Sequence, residues 1–342
     1  MAANGKAEAR PTSTLPWVEV YRPTSLDGIV SQAHIVNTIT KLIDERRLPH
    51  LLFYGPPGTG KTSTILACAR RLYGPKRLSS MVLELNASDE RGINVVRNQI
   101  KTFASTQQIF NSGCKLVILD EADAMTSDAQ MALRRVIEQY SRTTRFCLIA
   151  NYTNKIIPAL QSRCTKFRFA PLSPEDCRAQ LQRVAEAERV EMTSDGADAI
   201  VELSGGDMRK ILNTLQTVHA SSGRVTPQTV HSCTGTPSPE DIEFTLNQLL
   251  NAQFKEAHAN LRALLETSGL SLSDIVARLV PLVCAVEDLP AHVLAYAVSQ
   301  LAQLEARLAQ ETSQRIQLVA LVAIFHQVRH RTILHLENAG RS

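Results

Sequence analysis

The amino-acid sequence predicts an α/β fold built on a parallel sheet, followed by regions that are helical throughout. In the first half of the chain, short apolar runs alternate with segments of helical periodicity, which is the pattern of a parallel sheet covered on both faces. After a proline-rich break at residues 170–174 no further strand run of that kind occurs. We therefore expect an α/β domain over residues 17–171, a small helical domain over 172–235 and a second helical domain over 236–342.

The length and composition are those of a globular protein with more than one domain. At 342 residues the chain exceeds one typical domain, and 44% apolar with 20% charged residues is ordinary for a soluble protein. The formal charge of +4 permits nucleic-acid binding but does not argue for it. Seven cysteines without a C-x-x-C pair suggest neither a zinc site nor a disulfide framework, so a reducing compartment fits best.

No segment of the sequence resembles a membrane span or a signal peptide. The longest apolar run, Leu318–Phe325, is far shorter than the ~20 residues that cross a bilayer. We expect a soluble intracellular protein with no membrane partner.

The N-terminal segment precedes the first strand. Residues 1–16 are rich in Ala, Thr and Pro and are predicted to be disordered. Residues 17–23, considered alone, are interpreted as a loop anchored by Trp17. Apolar residues at helical spacing predict a helix within residues 31–47.

A glycine-rich turn separates the first strand from the next helix. The apolar run Leu51–Tyr54 precedes it, and a helical segment begins at Lys61 and continues past Leu72. The turn reads Gly55-Pro56-Pro57-Gly58-Thr59-Gly60-Lys61-Thr62. Strand, glycine turn and helix in this order form a phosphate-binding P-loop, where backbone N–H groups and the positive end of the helix dipole meet at one anion. We predict a nucleotide site, with Lys61 at the β- and γ-phosphates and the Thr62 hydroxyl on Mg²⁺.

The remaining strands and helices follow from the same patterns. Strands are predicted at residues 81–85, 115–119, 146–150 and 166–169. Helices are predicted at residues 92–103 and 127–140, and then from near Ser173, Thr193 and Asp207. A break at residues 235–239 leads to a Leu- and Ala-rich stretch whose periodicity predicts a packed helical bundle.

An acidic turn closes the third strand. Asp120 and Glu121 follow five mostly apolar residues, and a carboxylate at this end of a buried strand beside a P-loop is placed to hold Mg²⁺. We assign the metal to Asp120 and the activation of the attacking water to Glu121. The letters D-E-A-D also suggest a helicase, but such helicases need a second nucleotide-binding half with its own sheet, and the remainder here is predicted to be helical.

Asn151 ends the fourth strand, which we expect between the strands that carry the P-loop and the acidic pair. A polar side chain there could contact both the γ-phosphate and the attacking water. By position alone, an Asn that merely begins a turn is a comparable interpretation.

Six segments occur in the order found in the small subunits of replication factor C. They are residues 18–23, the P-loop, residues 85–89, the turn at 120–123, residues 162–164 and residues 206–209. The chain thus resembles that family, the eukaryotic sliding-clamp loader formed by five AAA+ ATPase subunits, from about Leu15 to Gly235, with weaker similarity beyond. The resemblance implies an AAA+ P-loop module, a helical lid and an all-α collar through which subunits associate. One departure is Val20, where the family usually has Lys.

The resemblance also assigns roles to single residues. Asn151 corresponds to the sensor-1 residue, and Arg209, in the lid, to the sensor-2 residue, which contacts the γ-phosphate of the same nucleotide. Asn86 resembles the residue that restrains the catalytic glutamate until DNA arrives. Arg163 corresponds to the arginine finger, which acts on the nucleotide of the neighbouring subunit. The adenine pocket is implied at Val18, Tyr21, Arg22 and Pro23.

Two surfaces are implied for partners. Arg91, Arg97 and Lys155 match positions that track duplex phosphates without reading sequence, although the residues alone would indicate only an exposed basic face. Ile109 and Phe110 resemble the segment that docks on the clamp, and a simple core contact is an equally open interpretation.

We therefore expect an ATP- and Mg²⁺-dependent subunit of a nuclear hetero-pentamer. Together with the other replication factor C subunits it would load the sliding clamp onto primer–template DNA in replication and repair. The intact catalytic set argues that this subunit hydrolyses ATP. The alternatives are an AAA+ ATPase of another remodelling class and an ATP-binding structural subunit with no turnover of its own.

Overall fold

The computed structural model describes residues 15–29, 31–87, 93–106, 113–287, 289–310 and 312–339. The chain forms two compact units that divide between Thr226 and Pro227. The three-domain division expected from the sequence, with its N-terminal segment over residues 1–16, stays a prediction.

A five-stranded parallel sheet is the centre of the first unit. Its strands lie in the order β2-β3-β4-β1-β5, and every neighbouring pair is parallel. The strands are β1 Leu51–Tyr54, β2 Val82–Asn86, β3 Lys115–Asp120, β4 Thr144–Ala150 and β5 Thr165–Arg168. The predicted α/β class is confirmed, and so is the expectation that β4 lies between β3 and β1.

Helices cover both faces of this sheet. They are α2 Ala33–Asp44, α3 Lys61–Met81, α4 Ile93–Ser105, α5 Ser127–Tyr140 and α6 Pro158–Gln161, and a short helix, α1 Trp17–Val20, precedes them in the chain. Because side chains alternate along a strand, β3 supplies Leu116 and Ile118 to the core under α2 and α3, and Val117 and Leu119 to the core under α4 and α5. All four side chains are completely buried, as the near-continuous apolar run predicts.

Two local predictions were incomplete. Residues 17–20 form a single helical turn where the sequence suggested a loop. The P-loop helix α3 is broken at Gly74, whose backbone has φ of 67°, and Pro75 follows it. Proline lacks the N–H that would continue the hydrogen-bond ladder, so the chain bends there before a last helical stretch.

Three helices, α7 Pro174–Glu188, α8 Ser194–Ser204 and α9 Met208–Ser222, follow the sheet. Each begins with a side-chain cap: Ser173 accepts the N–H of Asp176 at 3.1 Å, Thr193 that of Gly196 at 3.1 Å, and Asp207 that of Arg209 at 2.9 Å. A two-residue parallel pair, β6 Glu191–Met192 with β7 Arg224–Val225, ties this region together.

The second unit consists of helices around one apolar core. The helices are α10 Pro227–Thr234, α11 Pro239–Asn251, α12 Phe254–Ser268, α13 Leu272–Cys284, α14 Ala291–Leu308 and α15 Gln314–Ala339. Fully buried residues such as Val276, Leu301 and Leu321 fill the core between them. Within the described residues, none of the helices of either unit has the length and apolarity of a bilayer span.

Candidate nucleotide-binding site

The P-loop connects β1 to α3 through three glycines with positive φ. Gly55, Gly58 and Gly60 have φ of 144°, 67° and 90°, a region that L side chains rarely adopt. A Cβ on Gly58 would also lie 1.6 Å from Oδ1 of Asp207. Glycine is therefore required at residue 58 both by the backbone and by the close approach of Asp207.

Lys61 is the first residue of α3 and is only 7% exposed. Its Nζ donates hydrogen bonds to the carbonyl oxygens of Gly55 and Pro56, both at 2.7 Å, and to Oδ1 of Asn151 at 3.1 Å. All three ammonium donors are thus used. Burial lowers the pKa of Lys61 to about 8, and the attraction of the Asp120 carboxylate partly opposes this effect.

Thr62 and Asp120 meet at the end of β3. The Thr62 hydroxyl donates to Oδ2 of Asp120 at 2.7 Å, and both side chains line the same cavity. A hydroxyl and a carboxylate oxygen are the hard ligands that Mg²⁺ prefers. The donor set therefore fits the metal that the sequence predicts here.

Glu121 is exposed beside this pair and lines the cavity. Its backbone lies in the left-handed region, with φ of 54°, and its N–H donates to Oδ1 of Asp120 at 2.9 Å. Non-glycine residues are uncommon in this region, so the turn that presents the Glu121 side chain is held in an unusual backbone conformation.

Asn151 follows β4, next to β3 in the sheet, and its carboxamide reaches Lys61. Asp123 fixes the backbone here, because its Oδ2 accepts the N–H groups of Asn151 at 3.2 Å and of Tyr152 at 3.3 Å. The acidic turn and the residue after β4 are therefore held together as one edge of the site.

The start of α9 closes over the P-loop. Besides the contact of Asp207 with Gly58, the N–H of Met208 donates to the carbonyl oxygen of Gly58 at 3.3 Å. Arg209, one residue further, lines the cavity together with Lys61. From the sequence, Asp207 is predicted to begin a helix and lies in the family segment at residues 206–209. Its contact with the P-loop was missed because nothing in the local pattern connects residues 58 and 207.

Residues 17–23 contribute to another wall and contact helices α7 and α9. The ring of Trp17 stacks on His219 at 5.7 Å, and the backbone N–H of Trp17 donates to Oε1 of Gln216 at 3.0 Å. The Tyr21 hydroxyl donates to Glu188. The cavity is lined by Val18, Glu19, Tyr21, Arg22, Pro23, Gly28, Ile29, Pro57, Gly58, Thr59, Gly60, Lys61, Thr62, Ser63, Asp120, Glu121, Asn151, Leu172, Gln180, Met208, Arg209 and Leu212. Gly55 and Pro56 lie behind it, as acceptors for Lys61.

Arg163 does not line this cavity. It follows α6, a short helix that starts with Pro158, and its Nη1 donates to the carbonyl oxygen of Ala159 at 2.8 Å. Its Nη2 forms an ion pair with Glu138 on α5, whose Oε1 also accepts from Nε of Arg134 at 3.1 Å. The guanidinium is thus held by its own chain at a place apart from its own P-loop.

The predicted partner residues are only partly described. Lys155 is exposed, with Nζ 5.2 Å from the centre of the Tyr152 ring. Arg91, Ile109, Phe110 and the side chain of Arg97 lie outside the described residues.

Two further residues pair with or contact residues predicted from the sequence. Asn86 is exposed at the end of β2 and pairs in register with Asp120. Gln130, buried in α5, was not predicted: its Nε2 donates to the carbonyl oxygen of Lys155 at 2.9 Å and its Oε1 accepts the N–H of Ile157 at 2.8 Å. The sequence offered one indication of this role: Gln130 is a polar residue on the apolar face of the predicted helix, and a buried polar side chain needs hydrogen-bond partners.

Two protein-family models match the chain. The model of the ATPase family associated with various cellular activities (AAA) matches residues 51–172, and the model of the replication factor C C-terminal domain matches residues 237–324. The first match covers the P-loop, the acidic turn and Asn151. The chain therefore has a nucleotide-binding AAA ATPase domain.

Similar proteins are found in distant eukaryotes. Replication factor C subunit 5 of Homo sapiens is 53% identical over 328 residues, which cover 95% of this chain and 96% of that protein. Replication factor C subunit 3 of Saccharomyces cerevisiae is 46% identical over 320 residues, covering 92% and 94%. On residues 64–69 and 103–106 the sequence predicts a likeness to subunit 5 in particular, and the match to the human subunit 5 over nearly the whole chain confirms this prediction.

A more distant likeness concerns the fold alone. A RuvB mutant of Thermotoga maritima superposes with a TM-score of 0.51 at 15% sequence identity, covering 76% of this chain and 91% of the other. With an AAA module, a matching C-terminal domain and a human relative more than half identical over nearly the whole length, this chain belongs to the replication factor C family and is an ATPase subunit of a clamp loader.

Proposed function

We propose that this subunit binds ATP with Mg²⁺ in the cavity between the P-loop and the lid and hydrolyses it there. The observation that carries the proposal is the network in which Lys61 contacts Asn151 while Thr62 contacts Asp120. A cation for the phosphates, two oxygen ligands for a metal and a polar group for the γ-phosphate converge at one edge of the sheet.

Each side chain of this network has a defined role. Lys61 exchanges its carbonyl partners for β- and γ-phosphate oxygens. Thr62 and Asp120 hold Mg²⁺, which, when bound, neutralises charge on the phosphates. Glu121 takes the proton of the attacking water, and Asn151 orients that water. Arg209 contacts the γ-phosphate from the lid, so that lid closure depends on the nucleotide present.

The second half of the catalytic machinery serves another subunit. Arg163 is kept out of its own cavity and points its charge to a flank, where Glu138 orients it. A guanidinium that enters from a neighbour stabilises the charge of the transition state. We assign this role to Arg163, which makes hydrolysis dependent on assembly.

The partners are the other replication factor C subunits, the sliding clamp and primer–template DNA, in the nucleus. Lys155, with Arg91 and Arg97, contacts duplex phosphates, and Ile109 with Phe110 contacts the clamp. Asn86, in register with Asp120, restrains Glu121 until DNA binds. The helical lid over residues 172–235 and the collar over 236–342 complete the subunit.

A loading assay tests this function. The pentamer is reconstituted with either the wild-type chain or Lys61→Ala, and transfer of a fluorescent clamp to primed DNA is followed. Lys61→Ala should weaken ATP binding at this site and slow loading, because the phosphate cation is gone. Unaltered ATP affinity at this site, measured by calorimetry on the full-length chain, would contradict the assignment of the P-loop.

A further inference from the structure

The outer wall of the nucleotide cavity includes one face of the lid helix α7. This helix is tied at both ends to the segment that follows α1. Near its start, Asp176 accepts a hydrogen bond from Ser31, and at its last residue Glu188 accepts the hydroxyl of Tyr21. Helix α7 therefore runs alongside residues 21–29 and Ser31, and this segment contributes Tyr21 and Ile29 to the cavity.

Gln180 lies between these two ties. It is four residues after Asp176 and eight before Glu188, or about 6 Å and 12 Å along the helix axis. Its half-buried side chain lines the cavity. Among the described residues its carboxamide takes part in no hydrogen bond, whereas Gln182, on the same helix, donates to Glu186 at 3.2 Å.

The side chains that line the cavity differ in chemistry. Lys61 and Thr62 mark the part that receives phosphates. Apolar and aromatic side chains, among them Tyr21, Ile29 and Leu212, also line it. Because α7 contacts Tyr21 and Ser31, we place Gln180 beside the Tyr21 part of the lining, where a flat base with polar edges would lie.

A carboxamide offers an N–H donor beside an oxygen acceptor. Adenine presents the complementary pair, an amino N–H beside a ring-nitrogen acceptor, and glutamine is a usual partner of that pair. We propose that Gln180 hydrogen-bonds an edge of adenine and is a specificity-determining residue of this site. The proposal rests on the nucleotide site at Lys61 and adds the group that recognises the base.

The test compares two nucleotides and two variants of the full-length chain. Calorimetry measures binding of ATP and of purine riboside triphosphate, which lacks the amino group of adenine. Gln180→Leu should weaken ATP binding about 5- to 30-fold, the effect of one or two net hydrogen bonds. For purine riboside triphosphate the loss of affinity should be smaller than for ATP by a factor of about three or more, since one of the two hydrogen bonds is already absent. Gln182→Leu, the matched control, should change neither affinity.

Two results would overturn the proposal: an unchanged ATP affinity in Gln180→Leu, or equal losses for the two nucleotides. If Gln180→Leu does not fold, Gln180→Met, which keeps the length of the side chain and lacks the carboxamide donor and acceptor, carries the same comparison. Failure of the nucleotide site itself would appear differently, as an absence of ATP binding in the wild-type chain.

Discussion

Raising the pH should weaken nucleotide binding because Lys61 loses its proton. Burial lowers the pKa of this ammonium group to about 8 in the free protein. The phosphates of a bound nucleotide favour the charged form, so the pKa rises on binding. Between the two pKa values, binding must take up a proton, and affinity falls as pH rises.

The size of the effect follows from the pKa of about 8. At pH 7 about nine-tenths of the free protein carries charged Lys61, and at pH 9 about one-tenth does. If only the charged form binds phosphates well, affinity drops about tenfold between these pH values. Binding at pH 9 should take up about 0.9 proton.

Calorimetry with a slowly hydrolysed ATP analogue measures both quantities. Titrations at pH 9 in two buffers of different ionisation enthalpy give the proton uptake directly. Lys61→Arg is the control, because its guanidinium stays charged throughout this range. The Lys61→Arg variant should bind the nucleotide more weakly than the wild-type chain, and its affinity should be independent of pH. An equal affinity of the wild-type chain at pH 7 and pH 9, without proton uptake, would refute the reasoning.

Three further predictions concern hydrolysis and DNA. Glu121→Gln should leave ATP affinity unchanged and lower single-turnover hydrolysis at this site by at least ~10²-fold; turnover at the wild-type rate would exclude Glu121 as the base. Arg163→Ala should spare this site and slow hydrolysis on the adjacent subunit by roughly 10³–10⁵, as measured in complexes with one active P-loop at a time, and the reverse pattern would exclude action in trans. Replacing Arg91, Arg97 and Lys155 by Ala should flatten the slope of log K against log salt by about 0.9 for each lost phosphate contact, whereas an unchanged slope would leave them as a solvated face.

The sheet and the phosphate end of the site follow closely from local sequence. Apolar runs such as Lys115–Leu119 specify buried parallel strands, and the carboxyl ends of such strands meet at one edge. This topology is why Asp120 and Asn151, 31 positions apart in the sequence, could both be expected beside the P-loop. The observed hydrogen bond from Lys61 to Asn151 agrees with that expectation.

The walls of the cavity could not be derived in the same way. The contacts of Trp17 with Gln216 and of Tyr21 with Glu188 join residues 199 and 167 positions apart. Periodicity reports which face of an element is buried but not what it is buried against. For the same reason the pairing of Arg163 with Glu138 was not predicted, although the helix that carries Glu138 was.

Single-turnover hydrolysis by a complex with one active site tests the central claim most directly. The P-loop lysines of the other subunits are replaced, so that only the site at Lys61 can turn over. Primer–template DNA and the clamp should together trigger a burst of hydrolysis, and Glu121→Gln should abolish it. A complex that binds ATP at this site but releases no phosphate in the burst would identify the chain as a structural subunit and contradict its role as an ATPase.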